Sequence, residues 1–531
     1  MNLRIKEFHP SMRRTLSIML LALAIAALTL YTYRELPARL FAADDYQWLL
    51  NVRGLSFGQV VRRAFDAGAQ THFYRPLVWL LFWAQARAFD LDPRGYHAVS
   101  LGLHLLNAGL LGLLAYRLQI ANCRLQIVSN ARQSTIYNLQ FAILAAAFVA
   151  LHPAPFEAVV WISAQSELLA AALLLVALHL WLSRRPTTDD RRATADRSSG
   201  INDRPPIWSA VGGRSSLLAT LALALALLAK ESAVIGLPLL VLIERSNVET
   251  ACPEPAGGFK RSNVQRLAPY LLPSLITVGY IALQFIVERR NYLLEQGGYG
   301  LGWQIVLNPL RSLALVVAPL AGTEHADAAW LVPVGALVGL ILLAILVRGP
   351  WGARWLVLAL GLTLLPTAPF AAPPNSRYLY LPVMVAALLL GFGLDERRRT
   401  KDERSLPHDL RPWSFVFRRG LVLGSWFLVL ASIWWSAGEL HEREWRFAAG
   451  AGPGGSLWRL ADSVCHERRP DRMIVVEPPI AGPVVEAIIH LSCGAKVRPV
   501  IVGRDQVAGA IEGNSVVISF PNGSATVEST T

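Results

Sequence analysis

Charged residues are scarce in this chain: they make up 16% of its 531 residues, against 53% hydrophobic ones, and the mean hydropathy is +0.39. That balance excludes a set of water-soluble domains. With only four cysteines, a disulfide scaffold is also excluded: Cys123 and Cys252 fall in basic loops, and Cys465 and Cys493 leave room for one bridge in the C-terminal tail. There is no P-loop and no dinucleotide fingerprint, so a nucleotide-driven reaction has no support. No tetratricopeptide period runs through the tail.

What is present is a succession of apolar runs of about 18 to 22 residues, the length a helix needs to cross roughly 30 Å of hydrocarbon. The net charge of +13 raises the question of a nucleic-acid partner. The basic excess, however, gathers in the loops that the topology below places in the cytoplasm, which makes it a sorting signal and excludes nucleic acid as its target. At the N-terminus, Arg4, Lys6, Arg13 and Arg14 precede an apolar run from Thr15 to Thr32, and no small-residue cleavage pattern follows. An uncleaved first span with a cytoplasmic N-terminus is expected.

Further spans are expected at His97–Tyr116, Leu139–Leu151, Ala158–Leu182, Leu217–Ala229, Ser232–Ile243, Leu267–Val287, Trp330–Val347, Trp355–Phe370, Tyr378–Leu394 and Leu421–Trp435. The fold class is therefore an all-α polytopic membrane protein with about 11 transmembrane helices plus interfacial helices, and a small C-terminal α/β domain outside the membrane. Leu77–Phe89 is short and interrupted by Gln85 and Arg87, so it reads as an interfacial helix. Leu301–Leu320 is read as a re-entrant or surface helix, because a crossing there would translocate the basic loop Asp395–Arg419. Ser183–Arg214, rich in Arg, Asp and Ser, reads as a mobile cytoplasmic loop.

Residues 1–438 then form the membrane unit and 439–531 the tail unit. In the tail, Met473–Val476, Val497–Val502 and Ser515–Phe520 look like short buried strands, and Pro483–Leu491 like a helix. A core of that size is marginal, so the tail is expected to lean on the membrane unit or to use a Cys465–Cys493 bridge.

The unusual ionisable residues all fall on one side of this topology: Asp44, Asp45, Arg75, His97, His152, Glu157, Lys230, Glu231 and Arg377. Charges near a bilayer are costly unless paired or wetted, so a shared outward cavity would accommodate them together. Each has an ordinary reading as well. Asp44 and Asp45 can cap the helix that begins at Tyr46, or one of the two can serve as a general base. Arg75 can anchor an interfacial helix or clamp a phosphate. Lys230 and Glu231 can form a local ion pair in a tight turn, or Lys230 can offset charge on a leaving phosphate. His97 and His104 share one helix face, which suits packing and interhelical hydrogen bonds more than a metal, since no third ligand stands at metal spacing; metal ligands remain unassigned. His152 and Glu157 flank a Pro-rich turn, and Arg377, Tyr378 and Tyr380 open a span where interfacial anchors are common.

Taken in order, Asp44-Asp45, Tyr74-Arg75-Pro76-Leu77, Gly95-Tyr96-His97 with His104 and Asn107, His152-Pro153 with Glu157, Trp161-Ile162-Ser163, Lys230-Glu231 and Arg377-Tyr378-Leu379-Tyr380-Leu381-Pro382 resemble the GT-C superfamily of polytopic glycosyltransferases. The likeness leans toward the protein O-mannosyltransferase branch and transmembrane tetratricopeptide mannosyltransferases, and it covers residues 15–395. The resemblance implies a polyprenyl-phosphate sugar donor and a catalytic base at Asp44 or Asp45. The base would deprotonate a hydroxyl acceptor on a protein, lipid or glycan, and transfer would invert the anomeric carbon. Arg75, Lys230 and Arg377 would meet the lipid phosphate, with His152, Glu157, Glu231 and Tyr380 as further binding residues. No organic cofactor is implied, and a divalent cation is left open. The implied location is a bacterial inner membrane, surrounded by membrane lipids, with the site facing the periplasm. Relatives carry Arg and then Asp after the Trp-Ile motif, where this chain has Gln165 and Glu167. A transporter or flippase of lipid-linked glycans is the alternative, since it would use the same charges as a pathway.

Overall fold

The computed structural model describes residues 10–68, 73–123, 131–183, 213–248, 263–288, 298–300, 302–317, 329–349, 351–393 and 438–528. Expected features at Asp395–Arg419 and Leu421–Trp435, and nearly all of the Ser183–Arg214 loop, lie outside the described residues. The described chain is mostly helical. Its first half comprises α1 (Pro10–Thr32), α2 (Asp45–Val52), α3 (Phe57–Phe65), α4 (Pro76–Phe89), α5 (Pro93–Cys123), α6 (Ala131–Leu151), α7 (Phe156–Val160) and α8 (Gln165–Leu182). Then come α9 (Arg214–Ala229), α10 (Gly236–Val248), α11 (Asn263–Glu288), α12 (Gln304–Val317), α13 (Leu331–Arg348), α14 (Trp351–Leu364) and α15 (Tyr380–Gly393).

Among the described residues five helical stretches are long and apolar enough to cross a membrane: Met19–Ala38, Pro93–Leu118, Ile162–Leu182, Leu267–Val287 and Leu331–Arg348. Shorter apolar helices stand at Leu139–Leu151, Arg214–Ala229, Gln304–Val317, Trp351–Thr367 and Ser376–Leu390. The outer faces of the long helices keep large apolar side chains exposed, among them Leu271, Leu275 and Phe285 on α11 and Leu337, Leu340 and Ile341 on α13. Such continuous apolar surface suits hydrocarbon and not water.

α12 is 14 residues long, or about 21 Å at the α-helical rise. It packs along α13, and its buried Asn308 is satisfied by the Phe370 carbonyl at 2.8 Å, which explains a polar residue in so apolar a helix. Two expectations need correction here. The stretch Ala158–Leu182 is not one helix: α7 ends at Trp161, whose ψ of 118° is extended, and a 3-10 turn over Ile162–Ala164 restarts the chain into α8. Polar residues gather just after this point, at Ser163, Gln165, Ser166 and Glu167, but no Pro or Gly punctuates 158–182 to mark the break. Between α9 and α10 the chain makes no simple turn either. Lys230 is extended (φ −158°, ψ 137°) and Glu231–Ile235 forms a 3-10 helix.

Beyond the membrane unit, a helix through 438–450 leads into α16 (Gly452–Glu467), β1 (Arg472–Val476), α17 (Gly482–Cys493), β2 (Arg498–Val502), β3 (Ser515–Ser519) and β4 (Thr526–Glu528). The sheet order is β2-β1-β3-β4, with β1 parallel to both neighbours and β4 antiparallel to β3. Apolar β-branched runs make these strands, and β1 and β3 are buried along nearly their whole length. Cys465 and Cys493 form a disulfide with Cα atoms 5.4 Å apart, fastening α16 to α17.

This small unit shares its core with the segment that follows α1. Tyr46, Leu49 and Val52 of α2 cluster with Leu457, Val485 and Ile488. The Tyr46 ring lies 5.4 Å from that of Trp458, and Arg53 Nη1 donates to the Leu491 carbonyl at 3.1 Å. Gly455 admits this approach, since a Cβ there would come within 2.6 Å of Leu40. Helix α2, which begins at Asp45, is therefore held between the membrane bundle and the tail sheet.

Candidate functional site

The acid turn is built from a strained entry. Ala43 has φ of +45°, a left-handed conformation that non-glycine residues seldom adopt and that concentrates at functional turns. It separates the fates of the two neighbouring aspartates. Asp44 occupies the N-cap position, is exposed, and makes no side-chain cap hydrogen bond. Asp45 is 1% exposed, and its Oδ2 accepts from the Ala42 amide at 2.8 Å. Its Oδ1 accepts from the Ser163 amide at 2.7 Å and from the Ser163 hydroxyl at 2.5 Å.

The broken helix thus acquires a purpose. A restarting turn leaves amide donors without intrahelical partners, and the Ser163 donor finds Asp45, which acts as a cap supplied from a distant segment. Burial pushes the Asp45 carboxyl up to about 7, with the nearby Asp44 charge adding to the rise, although the bonds from Ser163 and Ala42 oppose it. Trp161 Nε1 donates to the Ala42 carbonyl at 3.3 Å and closes the same turn from the other side.

Three cations belong to the neighbouring turns. Arg75, which precedes Pro76 at φ −130° and ψ 64°, forms two parallel hydrogen bonds to Glu231, Nε to Oε2 at 2.8 Å and Nη2 to Oε1 at 2.7 Å. Burial disfavours both charges, yet each sustains the other: the Arg75 guanidinium and Lys230 hold Glu231 down to about 2, and Arg75 stays above the ordinary guanidinium range. Lys230 pairs with Glu167 at 2.7 Å, with side chains 3% and 4% exposed. Arg377 Nη1 is 3.9 Å from Glu157 Oε2, which also accepts from the Arg377 amide at 3.3 Å. Burial raises Glu157 while Arg377 works against the rise.

Tyr378 and Trp161 join these pairs. Arg377 lies over both rings, 4.6 Å from the Trp161 centroid and 4.8 Å from that of Tyr378, and Lys230 lies 5.2 Å from the Tyr378 centroid. Trp161 in turn touches the acid turn. Asp45, Glu157, Lys230, Glu231, Arg75 and Arg377 therefore belong to one contiguous group, with Asp44 on the adjoining exposed surface.

The expected local pair of Lys230 with Glu231 does not form. An extended residue sends its side chain to the opposite face from its successor's, so Lys230 reaches Glu167 on α8 and Glu231 reaches Arg75 ahead of α4. His152 and Tyr380 are not brought into the group. His152 is buried, with Nε2 on the Val316 carbonyl at 3.0 Å and Nδ1 accepting from the Ala154 amide. Tyr380 is enclosed between His104 Nδ1 at 2.8 Å and Asn107 Nδ2 at 3.2 Å. His104 also reaches the Ala150 carbonyl, so it serves interhelical hydrogen bonding.

Trp161, Ser163, Glu167 and Tyr378 belong to the group but were not among the expected site residues, although Trp161 and Ser163 stood in one of the quoted motifs. A carboxylate in the first turn of an apolar span must find a partner, and that was the available signal for Glu167. Gln165 is completely buried and bonds Gln85, the Tyr96 carbonyl and Ser100, tying α8 to α4 and α5. Among the described residues, no three His, Cys, Asp or Glu side chains gather in a metal-holding group.

Chemically, Asp45 is buried with both carboxylate oxygens engaged by Ala42 and Ser163, and Asp44 does not share its confinement. Arg75 and Lys230 are held by their carboxylates at 2.7 Å, whereas Arg377 and Glu157 stand 3.9 Å apart. Arg377 is thus the cation whose hydrogens are least committed to a carboxylate.

No protein-family model and no curated protein matches this chain. Among solved structures, the chain is similar to ArnT from Cupriavidus metallidurans bound to undecaprenyl phosphate, with a TM-score of 0.46 and 15% identity over 95% of this chain and 93% of that one. It is similar also to the apo state of that protein, with a TM-score of 0.43 and 14% identity over 97% and 94% of the two chains.

Proposed function

We propose that the protein is a membrane glycosyltransferase that moves a sugar from a polyprenyl-phosphate donor to a hydroxyl acceptor at the periplasmic face of a bacterial inner membrane. The observation that carries the reading is the convergence around Trp161 and Tyr378: three cations and their carboxylates, drawn from separate turns, adjoin an exposed aspartate whose neighbour is clasped. Such a grouping brings an anion site to the turn that carries the acidic pair, and displacement of a phosphate by an alcohol needs both.

Asp44 is the general base in this reading. It takes the proton of the acceptor hydroxyl as that oxygen attacks the anomeric carbon. The bond from that carbon to the phosphate oxygen breaks, its electron pair leaves with the polyprenyl phosphate, and the carbon inverts. Arg377 meets the phosphate oxygens, since its guanidinium can turn from a distant carboxylate to an anion at little cost. Arg75 and Lys230, held by Glu231 and Glu167, add positive potential behind it. Asp45 positions the turn and does not touch substrate. Residues 1–438 supply the membrane unit, and 439–531 a periplasmic unit that backs the acid turn.

The test is purified protein in lipid nanodiscs, assayed against a panel of labelled polyprenyl-phosphate sugars with hydroxyl acceptors. Sugar transfer with release of polyprenyl phosphate is expected, and Asp44→Asn should abolish it with folding intact. A folded wild-type protein that transfers none of the panel, or an Asp44→Asn variant as active as wild type, sinks the proposal.

A further inference from the structure

A cavity of about 280 Å³ opens beside the cations, with Phe73, Glu231, Ser232, Tyr280, Gln284 and Tyr378 among its lining residues. Its walls are mixed in a particular way. Tyr378 presents the ring that Arg377 and Lys230 flank, and Phe73 presents the ring that Arg75 covers at 4.3 Å. Gln284, only 6% exposed, is oriented by its Oε1, which accepts from the Tyr74 amide at 2.9 Å. The other half of that amide, Nε2, is buried without a partner, and so is the Ser232 hydroxyl.

Unsatisfied buried donors are costly, and a ligand that pairs them removes the cost. The contents of the wall narrow the choice of ligand. A prenyl or acyl chain would leave Gln284 Nε2 and Ser232 Oγ unpaired. A phosphate would face the Glu231 carboxylate. A neutral sugar ring satisfies all of them: its C–H face packs on an aromatic ring, and its hydroxyls accept from the amide and donate to the carboxylate.

We infer that this cavity receives the sugar ring of the lipid-linked donor, with Gln284 and Ser232 reading its hydroxyls. This rests on the donor reading above. Gln284 and Ser232 are specificity-determining residues, and neither is part of the proton-transfer or phosphate machinery.

The experiment is equilibrium binding to the full-length protein in nanodiscs, with undecaprenyl phosphate compared with a panel of undecaprenyl phosphates bearing neutral hexoses and pentoses. Wild type is expected to bind at least one sugar-bearing lipid about tenfold more tightly than the bare lipid. Gln284→Glu keeps the acceptor for Tyr74 and removes the free donor; Ser232→Ala removes one oxygen and stays testable where the first variant fails to fold. Each should lose about tenfold for the sugar-bearing lipid and nothing for the bare one. Equal loss for both lipids, or loss for neither, overturns the inference. Wild type that binds the bare lipid and gains nothing from any sugar also overturns it, while leaving the phosphate reading in place. Failure to bind any lipid overturns the donor reading, and this inference with it.

Discussion

The acid turn and the cation turns lie side by side, yet they are held by opposite means. Asp45 is fixed by amide and hydroxyl groups of Ala42 and Ser163, and its helix is fixed by the tail unit through Tyr46 and Trp458. Backbone donors of this kind cannot leave without breaking the turn. Arg75, Lys230 and Arg377 are held by carboxylates, which an incoming anion can replace or supplement. The contrast separates a frame fixed by backbone donors from a half whose ion pairs can exchange partners. Within the cations it is graded further, from the tight Lys230–Glu167 pair to the loose Arg377–Glu157 pair.

The comparison breaks first at Asp44. Replacing it with Asn should lower sugar transfer by about 10²- to 10⁴-fold, the span general-base removal commonly costs, without changing thermal stability. If Asp45→Asn loses that much while Asp44→Asn stays active, frame and base have been exchanged. The next largest effect is on folding. Lys230→Met or Glu167→Gln each leaves one buried charge unpaired and should destabilise by about 3–5 kcal/mol, read by denaturation in detergent. The double variant should recover much of that. A double variant that loses the sum of the two single losses would show that the two side chains act independently.

Arg377 should behave differently. Arg377→Ala should raise the donor KM by about tenfold, as expected from losing a charge-assisted bond to phosphate, with little loss of stability. A stability loss matching that of Lys230→Met would place Arg377 in the frame. The smallest effect is on pH dependence. Asp45 rises from 3.8 to about 7 on folding, so between those values the folded chain keeps a proton that the unfolded chain has released. Its contribution to stability is full below about pH 4 and is lost as pH climbs toward 7. Asp45→Asn should flatten that part of the stability curve.

Much of the architecture is readable from residue pattern. The long apolar runs at 267–287 and 330–347 reappear as α11 and α13, because hydrocarbon length constrains them directly. The tail strands were legible from their Val and Ile runs, and the Cys465–Cys493 bridge from the two cysteines that share the tail. β4 was not foreseen, since Thr526–Glu528 is too short and too polar to signal a strand before its antiparallel neighbour is known.

Asp45, Arg75, Glu157, Lys230, Glu231 and Arg377 come together in the structure, whereas His152 and Tyr380 lie apart from them, and the pairing within the group was not legible. Adjacency in sequence suggested that Lys230 and Glu231 were partners, and the extended backbone at Lys230 sent them apart. The break at Trp161 was invisible because its benefit comes from a carboxylate far away in the chain. Nor did sequence distinguish Asp44 from Asp45, whose difference arises from the φ of Ala43 and the arrival of Ser163. Contacts between distant segments decide all three, and local pattern carries no record of them.

The clasp on Asp45 also dictates an order of events at the ribosome. Ser163 follows Asp45 by 118 residues, which at ordinary elongation rates is a delay of roughly 10 s, and Trp458 emerges far later still. A newborn chain therefore holds Asp45 by the Ala42 amide alone, and completes the clasp and its backing only once Ser163 and then the tail have been delivered. Truncation near the C-terminus should consequently yield a bundle that inserts normally while its acidic loop never sets.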